Sequence, residues 1–307
     1  KNRVMLGIVI LNYKSWREVI SCVESVRTCS LNVLIVIVDN NSPDESFSEL
    51  QMIYKDIPNI IVVKSITNGG YSAGNNIGIN ICIDKGIKYC VVANPDVIFD
   101  IGALEGLYNA IQLPNVVIAG PQIFDTYGNL ISLPFIERQS MIEYIGFNFK
   151  SRRIISVKDN KLITGEYKQV YMVSGCCFAV DIGLFKQMGA FDEGAFLYNE
   201  EGILSIQAQR CNFKIIYCPG VKVIHNHRTS TIKESLSIET KLLCSGLYYW
   251  REYEKVSKPL LILLFVGMRI RVFVKILLRK TSPVGYVKYA RETIDALLKQ
   301  LYPNSTI

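Results

Sequence analysis

Three polar clusters in the first hundred residues each follow a run of apolar, mostly β-branched residues. The clusters are Asn12-Tyr13, Asp39-Asn40-Asn41 and Asn94-Pro95-Asp96. Such runs are typical of strands buried on both faces, and ligands of open α/β sheets bind beyond the carboxyl ends of their strands. We therefore expect the three clusters to meet at one edge of a sheet and to form a binding site there.

Two carboxylates in these clusters suit the recognition of a nucleotide. Asp96 can coordinate a hard cation, and such a cation can neutralise a diphosphate that leaves during a reaction. Asp39 can accept hydrogen bonds from a nucleobase or ribose, although capping of the following helix is nearly as good an interpretation. Asn-Pro-Asp also occurs as a plain turn, but its position after a strand favours the binding site.

The second half of the chain holds further candidates for chemistry. Glu200 and Glu201 follow an aromatic-rich turn and can supply a general base for an acceptor hydroxyl; an acidic first helical turn is the alternative. His225 and His227, the chain's two histidines, alternate along an extended segment and so project to one side. One of them is a candidate metal ligand, and a surface pair is the alternative.

A glycine- and asparagine-rich segment, residues 68–76, predicts a loop that opens a helix. It matches neither the P-loop nor the dinucleotide fingerprint. Taken alone, it is better interpreted as a turn than as a phosphate-binding loop.

The elements that must position these residues alternate between strand and helix. The predicted strands are Gly7–Leu11, Asn32–Val38, Ile60–Lys64 and Tyr89–Ala93, and the predicted helices are Ser15–Thr28, Ser46–Tyr54 and one that runs to Ile87. This order predicts a mostly parallel sheet with right-handed crossovers. Residues 122–170 are less regular and are expected to lie over the site. Strand character is predicted for Val170–Val180, Lys214–Pro219 and Val221–His225, with a helix at Gly183–Met188.

Composition limits the class of protein. A chain of 307 residues with 50% apolar residues can bury a large α/β core and carry an appendage. The formal net charge of +7 suits an anionic partner. The nine cysteines form no CxxC set, which disfavours zinc and favours reduced thiols of a cytosolic protein. The apolar run at residues 4–10 is too short to span a membrane and is predicted to be a strand rather than a signal peptide.

The C-terminal region differs in character. From about Lys233 it is predicted to be helical, and Pro259–Met268 is almost wholly apolar. Basic residues follow, and no acid lies between Lys255 and Arg291. A helix lying in the membrane interface fits this pattern; a buried helix of a bundle or dimer is the alternative.

Together these segments resemble family 2 glycosyltransferases with the GT-A fold, particularly bacterial rhamnosyltransferase-like members. The matching segments occur in family order over residues 4–230: Val9 to Tyr13, Val38 to Ser42, Asn68 to Gly78, Asn94 to Asp96, Val173 to Phe178, Gly189 to Glu193 with Phe196 to Tyr198, and Val223 to His227. The resemblance implies a GT-A Rossmann-like sheet flanked by helices over residues 1–232, with a nucleotide-sugar half to about 100 and an acceptor half beyond it. Residues 233–307 would form the helical, membrane-associating appendage.

The resemblance also implies a role for each candidate residue. The nucleotide pocket would be lined by Asn12, Tyr13, Asp39, Asn68, Asn76 and Asn94. Asp96 would be the metal-binding acid and His225 would complete the metal site, for Mg²⁺ or Mn²⁺. Glu201 would be the catalytic base, with Glu200 as its neighbour. Donor or acceptor sugar would be contacted by Ser174, Gly175 and His227.

The function implied is inverting transfer of a sugar, with dTDP-L-rhamnose as expected donor and UDP-hexoses next. The acceptor would be a polyprenyl-diphosphate-linked saccharide, and the setting O-antigen or capsule synthesis at the cytoplasmic face of the plasma membrane. The family usually continues its acidic motif with an Asp and an Arg, where this chain has Ile203 and Gln207. A catalytically weakened nucleotide- or glycan-binding scaffold is therefore the rival interpretation. A nucleotidyltransferase and a peripheral membrane scaffold are less favoured, and nucleic-acid binding least.

Overall fold

The structure is a computed structural model that describes residues 6–145, 165–226, 232–278 and 283–303. The strands are β1 (Leu6–Asn12), β2 (Val33–Asp39), β3 (Ile60–Lys64), β4 (Tyr89–Ala93), β5 (Val97–Phe99), β6 (Val116–Phe124), β7 (Leu130–Ser132), β8 (Lys168–Val170), β9 (Cys177–Asp181) and β10 (Lys214–His225). The helices are α1 (Trp16–Val26), α2 (Ser46–Tyr54), α3 (Gly70–Asp84), α4 (Ala103–Ile111), α5 (Met141–Ile145), α6 (Ile182–Gln187), α7 (Glu200–Arg210), α8 (Ile232–Glu252), α9 (Lys258–Leu277) and α10 (Tyr286–Leu301).

The N-terminal part of the sheet is parallel, as its continuous apolar strands predict. The order is β3-β2-β1-β4, and every residue of β2 is buried. Strand β1 pairs with β2 so that Asn12 lies opposite Asp39, and with β4 so that Ile10 lies opposite Ala93. The carboxyl ends of β2, β1 and β4 therefore lie along one edge of the sheet.

The other half of the sheet is mixed. Strand β9 lies between β4 and β6 and is antiparallel to both, and β10 is parallel to β6 but antiparallel to β5 and β8. The segment for which strand character is predicted, Val170–Val180, is not a single strand. It divides into β8 and β9, because the intervening turn at Ser174-Gly175 carries the chain between two different strand partners.

Two further expectations need correction. The two strands expected over residues 214–225 are one strand, β10, with an irregular register between Cys218 and Lys222; Gly220 there has a φ of 83°, which a glycine adopts without strain. The glycine-rich loop expected over residues 68–76 is mostly helix, because α3 begins at Gly70. Gly74, and Gly78 one turn further along the helix, pack against β1 instead of lining a loop.

The chain divides into two compact units. The first contains all ten strands described above. The second contains α5, residues 194–203 and the three C-terminal helices. Among the described helices, none is both long and apolar enough to cross a membrane. All nine cysteines lie in the described part of the chain, and none forms a disulfide.

Candidate active site

The ends of β1 and β2 are joined by a buried polar network. Asn12 Nδ2 donates to Asp39 Oδ1 at 2.8 Å, and the backbone N–H of Ser42 donates to Asp39 Oδ2 at 2.9 Å. Asn12 and Asp39 are both completely buried. Such donors stabilise a carboxylate that burial would otherwise penalise. In this conformation the two residues shape the strand ends, while the neighbouring Tyr13 is exposed.

A second network ties the turn after β2 to the start of α3. Asn40 Nδ2 donates to Asn68 Oδ1 and to Gly70 O, each at 3.0 Å. The N–H of Gly69 donates back to Asn40 Oδ1 at 3.3 Å. Asn68 Oδ1 also accepts from the N–H of Gly70 at 3.1 Å. The side chains of Asn40 and Asn68 thus fix the backbone that leads into α3.

Asn76 lies away from this turn, further along α3. Its Nδ2 donates to Phe191 O at 2.9 Å and to Glu193 Oε1 at 2.8 Å. Its side chain therefore secures the segment after α6, and its expected contact with the nucleotide stays a prediction.

Asp96 and His225 are brought together from distant parts of the sequence. His225 Nε2 lies 3.1 Å from Asp96 Oδ1, and the side chains are 12% and 24% exposed. Antiparallel pairing of β5 with β10 places Val97 opposite His225, and the N–H of Asn226 donates to Asp96 O at 2.9 Å. The pair is thus held by backbone as well as by side chains. His227 lies outside the described residues.

This pair fits a divalent metal ion. A carboxylate oxygen and an imidazole nitrogen are both ligands that Mg²⁺ or Mn²⁺ accepts. Adjacent ligands of an octahedral ion lie about 3 Å apart, and the 3.1 Å separation of Asp96 Oδ1 and His225 Nε2 agrees with that. Within the described ranges, no third histidine, cysteine or acid joins them. Two protein ligands suffice where phosphate oxygens and water complete the coordination.

The Ser174-Gly175 turn lies beside the end of β4. The N–H of Asn94 donates to Cys176 O at 2.8 Å, so the turn is bonded to the Asn94-Pro95-Asp96 segment. Tyr71, on α3, donates its hydroxyl proton to Gly175 O at 2.6 Å. The structure therefore groups this turn with Asn94 and the first turn of α3.

Glu200 and Glu201 begin α7 and belong to the second unit. The two residues before them, Tyr198 and Asn199, both have positive φ, at 72° and 68°. That region is strained for an aromatic residue, and strain of this kind clusters at functional sites.

The two acids differ in environment. Glu200 is buried, and one of its carboxyl oxygens has no hydrogen-bond partner among the residues that the structure describes. Burial, followed by the negative charge of Glu201, raises the pKa of Glu200 well above its usual value, against a smaller lowering by backbone N–H groups. This shift favours the protonated, neutral form of Glu200.

Sequence reasoning gave no individual role to three residues that organise this site: Asn40, Ser42 and Tyr71. Asn40 was visible as part of a strand-end cluster, but its partners Asn68 and Gly70 are distant in sequence. The Tyr71 contact with Gly175 likewise depends on the antiparallel β9, which the apolar pattern does not reveal.

The fold and the site at the strand ends define the class of the protein: it is an α/β protein with a GT-A-type fold. A crystal structure of GalNAc-T7 with UDP, GalNAc and Mn²⁺ matches with a TM-score of 0.60 and 16% identity, over 83% of this chain and 49% of that one, so the chain spans about half of that structure. The mannosyltransferase PcManGT from Pyrobaculum calidifontis, in complex with GDP-Man and Mn²⁺, matches with a TM-score of 0.57 and 12% identity over 99% of this chain and 89% of that one. At these identities the likeness establishes the fold.

The family follows from the sequence comparison. The model of glycosyl transferase family 2 matches residues 7–188, more than half of the chain, and the chain belongs to that family. A low-salt glycan biosynthesis hexosyltransferase, Agl10, of Haloferax volcanii is 27% identical over 85% of this chain and 82% of its own length. An N-acetylglucosaminyl-diphospho-decaprenol L-rhamnosyltransferase of Mycobacterium tuberculosis is 27% identical over 67% of this chain and 70% of its own. The chain is therefore a glycosyltransferase.

Proposed function

We propose that this glycosyltransferase moves a sugar from a nucleotide diphosphate donor to an acceptor hydroxyl, with inversion and with one divalent metal ion. The observation that carries the proposal is the contact of Asp96 with His225. The proposal is supported because these two side chains, of types that can bind a metal ion, lie together beside the strand ends where α/β proteins bind nucleotides. Two solved proteins of like fold contain Mn²⁺ together with UDP or GDP-Man.

The proposed donor is dTDP-L-rhamnose, with a UDP-hexose as the alternative. The proposed acceptor is a saccharide linked to a polyprenyl diphosphate. Both are suggested by the mycobacterial relative, whose name specifies L-rhamnose and a diphospho-decaprenol acceptor. The haloarchaeal relative, a hexosyltransferase of glycan biosynthesis, supports sugar transfer in a glycan pathway. The reaction would serve surface polysaccharide synthesis, such as O-antigen or capsule, at the cytoplasmic face of the plasma membrane.

The chain's own residues would divide the work as follows. Asp96 and His225 would hold Mg²⁺ or Mn²⁺, which when bound stabilises the negative charge of a departing diphosphate. Glu201 would take the proton of the acceptor hydroxyl through its carboxylate. The acceptor oxygen would attack the anomeric carbon on the face opposite the diphosphate, so the configuration there would invert. Glu200, neutral, would leave Glu201 as the carboxylate available to act as base.

The test is binding of a panel of nucleotide diphosphate sugars, by calorimetry, with and without Mg²⁺ or Mn²⁺, followed by assays for hydrolysis and transfer. We expect one sugar nucleotide to bind in a metal-dependent way and to be slowly hydrolysed. Binding without turnover, even with lipid-linked acceptors, would favour the weakened scaffold. Absence of binding would overturn the nucleotide site.

A pair of variants tests the metal ligands. Asp96→Asn should abolish the metal dependence of donor binding and the metal-dependent turnover. Asp100→Asn is the matched control, because Asp100 is an exposed carboxylate on the same segment. It should behave as the wild type. Retained metal dependence in the Asp96 variant would disprove the assignment.

A further inference from the structure

One face of α9 is apolar and exposed. The exposed residues, each between 42% and 65% accessible, are Leu260, Ile262, Leu263, Val266, Ile270, Phe273, Val274 and Leu277. At 100° per residue they cover about 160° of the helix circumference, and no polar residue lies within that arc. We call this surface the α9 face. Exposed apolar surfaces of this extent mark sites of interaction.

The opposite side of α9 already has its partners within the second unit. Leu261, Leu264, Met268 and Val272 are at most 2% exposed. The helix therefore does not need the α9 face for its own packing. The alternative interpretation, a helix buried in a bundle, explains the buried side of α9 but leaves the α9 face unexplained.

The distribution of charged residues around the α9 face indicates the kind of partner it binds. Residues 232–307 contain 13 Lys and Arg against 6 Asp and Glu, whereas residues 1–231 contain 21 of each. The whole net charge of +7 thus belongs to the C-terminal region. Lys258 and Arg269 lie along one border of the α9 face, and no acid occurs in α9 itself. On the other border Arg271 and Lys275 are already paired with the buried Glu239.

We infer that the α9 face binds the surface of a membrane containing anionic lipids. Its apolar side chains would enter the boundary between head groups and acyl chains, while the flanking cations meet lipid phosphates. The helix would lie in the plane of the interface, since it lacks the apolar length to cross. The surrounding charge favours a lipid partner over a second copy of the chain, because two copies would bring like charges together.

The test is cosedimentation of the full chain with vesicles of phosphatidylcholine alone or mixed with phosphatidylglycerol. We expect at least about tenfold tighter binding to the anionic vesicles. Replacing Val266, Ile270 and Phe273 by Glu should weaken that binding on the order of a hundredfold. The control replaces Met52, Ile66 and Ile131 by Glu: these are exposed apolar residues of the first unit, 47% to 94% accessible, and the variant has the same net charge. It should bind as the wild type does, and circular dichroism should show all three proteins folded.

Three results would overturn the inference. The wild type could fail to bind anionic vesicles, or the control variant could lose binding as fully as the α9 variant. Light scattering could also show a wild-type dimer that Val266→Gln, Ile270→Gln and Phe273→Gln together convert to a monomer, which would make the α9 face an interface between copies. Vesicle binding is measured without sugar nucleotide, so it can fail while the proposed sugar chemistry stands.

Discussion

At the scale of single residues, the two neighbouring glutamates differ in environment, as our proposal of separate roles for them requires. Glu200 is buried, and its pKa is raised by desolvation and by the charge of Glu201. Environments that push the pKa values of two acids apart commonly separate their roles in catalysis. Glutamine resembles a neutral glutamic acid in shape and charge, so it distinguishes the two positions.

Glu201→Gln should reduce turnover by about 10²- to 10⁴-fold, the usual contribution of a general base, while donor affinity changes less than about threefold. Glu200→Gln is the matched control and should retain turnover within about tenfold, because the raised pKa of Glu200 favours a neutral side chain at that position. The measurement is steady-state transfer together with donor titration. The reverse pattern would make Glu200 the base.

The same burial makes stability depend on pH. The folded protein keeps the Glu200 proton at pH values above 4.5, the ordinary pKa at which the unfolded chain loses it. Because the folded state then binds more protons than the unfolded state, this group makes stability fall as pH rises above 4.5 toward the raised pKa.

Glu200→Gln should therefore become more stable relative to the wild type as pH rises, by up to about 1.4 kcal/mol per pH unit within that window. Thermal unfolding of both proteins at about pH 5 and about pH 7 measures the difference. Glu252→Gln, at an exposed position in α8, should follow the wild type at both pH values. If the stability difference between the Glu200 variant and the wild type were the same at both pH values, the raised pKa assigned to Glu200 would be contradicted.

At the scale of elements, two glycines let α3 lie close against β1. A Cβ atom added at Gly74 would lie 2.3 Å from Leu11 Cδ1, and one added at Gly78 would lie 2.3 Å from Val9 Cγ1. Four residues apart, the glycines occupy one side of the helix. This close packing fixes α3, and with it Tyr71 and the turn that Asn40 holds.

Gly78→Ala should destabilise the protein by about 1–2 kcal/mol, since overpacking exceeds the gain in helix propensity. Combining it with Val9→Ala should cost less than the two single changes together, by about 1 kcal/mol, because the added methyl group occupies space that Val9 leaves. Urea unfolding of the four proteins measures the coupling. Asn80→Ala, on the exposed side of α3, should change stability by under about 0.5 kcal/mol. If the changes in the free energy of unfolding caused by Gly78→Ala and Val9→Ala were strictly additive, the close contact between these two positions would be contradicted.

Elements whose pattern is local could be predicted from the sequence. Helix α2 and strands β3 and β4 coincide with the predicted ranges, because their periodicity and flanking turns lie within a few residues. Division of the predicted strand at Ser174-Gly175 could not be foreseen, because hydrogen bonds to Asn94 and Tyr71 define that turn from remote positions. The meeting of the strand ends at one edge could be predicted from the parallel pairing. The closeness of Asp96 and His225 could not, because it depends on the antiparallel pairing of β5 with β10.

At the scale of the whole molecule, the net charge is divided unevenly between the two regions of the chain. The first 231 residues are electrically balanced and carry the candidate metal and nucleotide residues, while the C-terminal region carries the excess of cations. If the acceptor is attached to lipid, as we propose, binding at the membrane raises its local concentration without altering the chemistry of transfer. The two properties should then be separable by mutation.

The variant with Glu at Val266, Ile270 and Phe273 should bind donor and metal as the wild type does, and should hydrolyse donor at the wild-type rate. Its transfer to a lipid-linked acceptor in vesicles should fall at least about tenfold, because the enzyme no longer concentrates at the surface. Asp96→Asn should show the opposite pattern, with wild-type vesicle binding and no metal-dependent hydrolysis. Parallel assays of vesicle binding, donor hydrolysis and transfer on the two variants decide the matter. Loss of donor hydrolysis in the α9 variant would mean that the face acts on the catalytic site, and unimpaired transfer in vesicles would mean that membrane binding contributes nothing to finding the acceptor.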